Sequence, residues 1–150
     1  MKALLCLIVV ALLPSCSLSF GPRWRGATRA GAQPGVVGAW QGTWHSEATG
    51  HRGGLRAVID PASNAAGDHT FHYHATWGKI LSGSFDAMHR VMPVRGKHLF
   101  QGQHRMPAWA GGLYTYRGTV RDDIFNAAYR SSKDHGTFQM RRVNGQPPPL

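Results

Sequence analysis

Nine histidines stand among the 150 residues, and two of them, His72 and His74, flank Tyr73 in a His-x-His pair. In an extended strand, alternate residues point the same way with Cβ atoms about 7 Å apart. The two imidazoles would then share a face and could bind a divalent metal once a third ligand arrived from a neighbouring strand. His45, His89, His98 and His104 qualify as that ligand by strand placement, and Asp86 can add an oxygen. One function follows from this: a metal-dependent hydrolase using His72 and His74. The competing expectation is simpler. No His-Glu-x-x-His helix or second clustered motif joins the pair, and alternation with Phe71, Tyr73 and Trp77 leaves both histidines on the wetter side of the strand. The wet face is the primary expectation, and the metal site is its alternative.

Asp134-His135-Gly136 places an acid beside a base, as a general-base mechanism requires. It lacks a nucleophile, since no Gly-x-Ser-x-Gly elbow occurs, and Lys133-Asp134-His135-Gly136 fits a tight turn into a last strand. Glycoside hydrolysis needs two acids facing each other across a sugar. Here the single glutamate, Glu47, and aspartates at predicted turns (Asp60, Asp68, Asp122, Asp123 and Asp134) do not suggest that arrangement. No P-loop or dinucleotide fingerprint is present. No catalytic residue and no cofactor is assigned.

These side chains must be carried by β structure. Short alternating runs, broken about every ten residues by Gly, Asn, Asp or Pro, predict strands over 39–46, 54–60, 69–78, 82–92, 97–106, 112–121, 124–131 and 136–143. No segment holds a helical period. Sequential hairpins with one apolar face predict an all-β fold, a single eight-stranded antiparallel up-and-down barrel. Its lining would be Trp40, Trp44, Phe71, Tyr73, Trp77, Tyr114, Tyr116, Phe138 and Met140. Such a space is just large enough to be filled by side chains or to hold one small apolar ligand. The loop 106–112 carries Trp109 at its tip, placed to rim a mouth, touch a membrane or fold back as a plug.

Gly42-Thr43-Trp44 resembles the Gly-x-Trp signature of lipocalin-like (calycin) barrels and is similar to the Gly-Thr-Trp of intracellular fatty-acid-binding proteins. That resemblance implies a Trp44 closing the barrel bottom against a last-strand cation, Arg141 or Arg142. The ten residues between Trp44 and Leu55 leave no room for a two-helix lid. The stretches Trp40 to Trp44, Gly111 to Tyr116 and Asp134 to Phe138 also resemble small exported bacterial proteins of uncharacterised function.

The ends supply an address. Met1-Lys2 and the uncharged apolar run Ala3 to Leu13 are expected to be a secretory signal within 1–19. Leu13-Pro14-Ser15-Cys16 resembles the bacterial lipoprotein box, implying cleavage before Cys16 and its acylation. Ordinary cleavage near Phe20, after Ser17-Leu18-Ser19, fits as well. Cys6 leaves with the signal in either case, so no internal disulfide is expected. Gly, Pro and Arg over 20–36 predict a flexible linker, 37–143 the barrel, and 144–150 a Pro-rich tail. The formal charge is +10, but export separates the chain from cytoplasmic nucleic acid, leaving an anionic envelope component as the polyanion to consider. The expected protein is exported, membrane-anchored as a lipoprotein or else periplasmic or extracellular, with a binding or structural role in the cell envelope.

Overall fold

Apolar-polar alternation determines the architecture, because a strand with one oily face must bury it against others of its kind. The computed structural model describes residues 16–78 and 80–145; the apolar leader and the Pro147 to Pro149 tail lie outside the described residues. Eight strands form: β1 (Gly38–Ser46), β2 (Arg52–Ile59), β3 (Asp68–Trp77), β4 (Leu81–Val94), β5 (Lys97–Arg105), β6 (Leu113–Arg121), β7 (Ile124–Arg130) and β8 (His135–Arg142). Each pairs antiparallel with its sequence neighbour, and β1 pairs with β8 to close the sheet. This is the expected eight-stranded up-and-down barrel, compatible with a lipocalin-like fold, with strand limits within two residues of those read from the sequence.

Tight turns need unusual backbone angles. The two-residue links Arg95-Gly96 and Asp122-Asp123 provide them, with φ of 43° at Arg95, 78° at Gly96 and 51° at Asp122. Inside the barrel, glycines stand where neighbouring rings come too close for a side chain. A Cβ on Gly118 would lie 2.2 Å from the Phe100 ring, and one on Gly102 would lie 2.2 Å from Nδ1 of His89.

The segment expected to be a flexible linker, 20–36, is largely helical instead. Helix α1 spans Cys16–Ala30 and includes Pro22. Packing outweighs the poor helix propensity of its glycines. Phe20, Trp24 and Thr28 recur every fourth residue, share a face and are buried; Phe20 and Trp24 pack with Ala39 and Val58. Phe20 stacks on His74 at 5.1 Å, and the Arg56 guanidinium sits 5.0 Å from the Trp24 ring centre. The helix thus lies on the outside of the barrel over β1 to β4. Its end lies by the beginning of β1, where the Gly31 carbonyl approaches Gly38.

Candidate functional site

The predicted lining residues do point inward, and they fill the space they enclose. Rings from β3 reach rings on the far walls: Tyr73 lies 5.6 Å from Phe138 and 6.3 Å from Tyr116, and Phe71 lies 5.2 Å from Phe100 and 6.3 Å from Phe125. Met140 is buried in the same cluster, and Tyr114 packs at its edge. Trp77 departs from the expectation by standing at the rim, 42% exposed, edge-on to Trp44 at 6.0 Å.

Barrel closure uses a different tryptophan from the one expected. Trp44 sits toward the β3–β4 end, where its Nε1 donates to the Thr76 carbonyl at 2.9 Å. Trp40 takes the closing role, with the Arg142 guanidinium 4.2 Å from its ring centre and its Nε1 donating to the Val36 carbonyl. Arg142 also donates to the Val37 carbonyl at 2.8 Å and to Asp123 at 3.1 Å. Arg141 points outward. The sequence held a signal for this, because Gly38-Ala39-Trp40 repeats the Gly-x-Trp spacing four residues earlier.

The His-x-His pair is spent on packing. His72 Nδ1 lies 2.7 Å from Asp86 Oδ1 and its Nε2 lies 2.9 Å from Asp60 Oδ2, and Arg23 of α1 donates to the same Asp60 oxygen. His74 Nδ1 is 2.7 Å from the Ser84 hydroxyl, beneath Phe20. His89 lies on the opposite side of the sheet, in the core, so it cannot join them. Among the described residues no group of three His, Cys, Asp or Glu is placed to hold a metal.

Two polar groups, one fully buried and one half-buried, were not anticipated in these roles. His89 is fully buried; its Nε2 is hydrogen-bonded to Tyr73 Oη at 3.2 Å, while its Nδ1 has no partner among the described residues. Burial holds its pKa down at about 4, with help from His104. At the β7–β8 turn, Asp134 accepts from Ser46 Oγ at 2.6 Å and from Tyr129 Oη at 3.1 Å. Burial and that carboxylate raise the Tyr129 pKa. Asp134 therefore ties strand ends together instead of orienting His135, whose Nε2 lies 3.8 Å from Glu47.

With rings packed across the interior, open hollows lie on the outside of the wall. Strands β5, β6, β7, β8 and β1 contain no aspartate or glutamate. On their outer face Thr119, Asn126, Gln139 and Thr43 stand opposite one another in register across four strands, a row about 15 Å long. Arg117 flanks the row on one side, and Arg121 and Arg141 on the other. A hollow of about 500 Å³ takes in Gln101, Arg117, Asn126 and Gln139 over a mainly apolar floor that includes Met92 and Leu99. It shares Asn126 and Gln139 with a second of about 410 Å³, and Gln101 and Arg117 with a third of about 540 Å³ that reaches the Arg90–Asp68 ion pair at the edge of the acid-free strands. Among the described residues, the arginine ion pairs are Arg23–Asp60, Arg90–Asp68 and Arg142–Asp123, so Arg117, Arg121 and Arg141 take part in none.

Compared with known protein families, with curated proteins and with solved structures, the chain matches none. The resemblance to small exported bacterial proteins therefore gains no support from relatives.

Proposed function

We propose that this chain is an exported, filled-barrel binding protein of the cell envelope, which takes an anionic envelope component on the outer face of β5 to β8 and β1. Export itself is argued from the leader, with Cys16 as the lipid-attachment candidate or cleavage near Phe20 as the other route. The observation that carries the binding role is the acid-free face, where a row of amides and hydroxyls lies between arginines. Amide and hydroxyl groups both donate and accept, which suits a polyhydroxylated chain. Guanidinium forks suit its carboxylates or phosphates, bidentately. Outward positions on these strands carry no Phe, Tyr or Trp, so the base stacking of single-stranded nucleic-acid binders has no platform there. The filled interior turns the small-apolar-ligand expectation toward this outer surface.

Titration with polygalacturonate at low and physiological salt tests the proposal. Arg117→Gln/Arg141→Gln is expected to weaken binding at least tenfold, while Arg25→Gln/Arg29→Gln on α1 removes the same charge and changes it less than threefold. Equal losses in both pairs, or none in the first, would overturn it.

A further inference from the structure

The geometry points to a membrane-docking end: the rim formed by the β3–β4 and β5–β6 turns rests on an anionic lipid bilayer. This goes beyond the polyanion face and uses a different part of the barrel. The up-and-down order puts the turns at 47–51, 78–80, 106–112 and 131–134 at one end. That end carries Trp109 at 81% exposure, Ile80 at 91% and Leu81 at 65%, with Trp77 and Leu113 exposed behind them. A soluble surface rarely gathers large apolar side chains on its outermost tips, whereas tryptophan at a lipid–water boundary has a place for both its ring and its N–H.

Charge at this end is arranged to match. Lys133 donates to the Trp109 backbone carbonyl at 3.3 Å, holding an ammonium against the loop that carries that ring. Arg105 and Arg130 finish β5 and β7 at the same end. The acids here are engaged: Asp134 is bonded by Ser46 and Tyr129, and Glu47 lies 3.8 Å from His135. The opposite end differs, with Asp60, Asp122 and Asp123 at its turns. Its exposed apolar side chains, Val94 at 38% and Ile124 at 45%, stand beside the Arg95-Gly96 and Asp122-Asp123 turns and not on loop tips.

The course of the chain is a second, independent observation. Helix α1 crosses the outside of the barrel with Phe20 stacked on His74, three residues short of the end of β3, while the Gly31 carbonyl just past the helix comes up to Gly38 at the start of β1. The helix therefore begins higher on the barrel wall, toward the apolar rim, than it ends. If Cys16 is the acylated residue, the tether begins at this end of the helix. Rim and tether would then meet one surface, and the polyanion face would stand upright beside it.

Full-length protein on phosphatidylglycerol/phosphatidylcholine vesicles, with bromine on the lipid acyl chains, reads the docking end directly. The Trp109→Phe variant keeps the apolar tip and removes one fluorophore, so the difference between it and the native protein isolates Trp109. Bromolipid quenching of that difference signal by at least half is expected. Ile80→Ser/Leu81→Ser should cut it at least threefold, whereas Arg117→Gln/Arg141→Gln should leave it intact even if polyanion binding is lost. An unquenched difference signal would overturn the proposal by showing Trp109 in water while the chain is on the vesicle. Sedimentation equilibrium without lipid supplies the other overturning result, a dimer that Ile80→Ser/Leu81→Ser dissolves, because the rim would then be a self-association face.

Discussion

A buried imidazole with one unpartnered nitrogen makes His89 the residue whose chemistry most affects the stability of the barrel. Its folded pKa is near 4 and its unfolded value near 6.5. As pH falls through 6.5, the unfolded chain takes up a proton that the folded chain refuses until about 4. Stability therefore drops across that window, and the full penalty is present below it. Urea unfolding at pH 7 and pH 4.5 should show a loss of about 2–3 kcal/mol from this group. His89→Leu should flatten most of that dependence; His74 and His104, also shifted down by burial, leave a smaller slope of the same sign. An unchanged slope in the variant would refute the assignment. The inward direction of His89 was readable from its alternation with Phe85, Ala87 and Val91. Its lack of a second partner was not, because that depends on which atoms of β5 approach it, and Gly102 contributes no side chain there.

At the scale of elements, the strands were legible and the helix was not, for one physical reason. A strand announces itself within a few residues, by alternation that one wall of the barrel must satisfy. Helix α1 has its own stripe, Phe20, Trp24 and Thr28, but Gly21, Pro22 and Gly26 lie between, and local propensity pointed to a linker. The docking that stabilises it comes from Ala39 and Val58, far along the chain. Two substitutions separate a docked helix from a loose tether. Trp24→Ala should cost about 3 kcal/mol, and Gly26→Ala, with nothing within 4 Å of the new methyl group, should add roughly 0.5–1 kcal/mol. Thermal unfolding checks both, and a tether would leave both midpoints unmoved. Within the barrel, Gly118→Val should cost upwards of about 3 kcal/mol, since its side chain would have to enter the Phe100 ring and approach the Asn126 carbonyl. A midpoint within a degree of the native one would show that the ring can move aside.

For the whole molecule, strand number and order were readable from the sequence, but whether the barrel was hollow was not. Alternation says which residues face in; whether Tyr73 reaches Phe138 across the axis depends on the radius, and the inward glycines allow the walls to come closer. The outer face was hidden for the opposite reason. Thr43, Thr119, Asn126 and Gln139 are ordinary polar residues scattered along the chain, and only the strand register lines them up. The sequence did show a chain rich in positive charge. Closure was needed to show that the six strands without acids, β5 to β8, β1 and β2, lie side by side.

The pairing of β1 with β8 sets Trp44 opposite Phe138, and Trp40 opposite Arg142. In a chain made from its N-terminus, β1 is among the first strands to appear and β8 the last. One edge of β1, with the amides of Gln41 and Thr43, thus stays open through nearly the whole of synthesis. The barrel is an open sheet for most of its early life, with a vulnerable margin that only the final strand can cover.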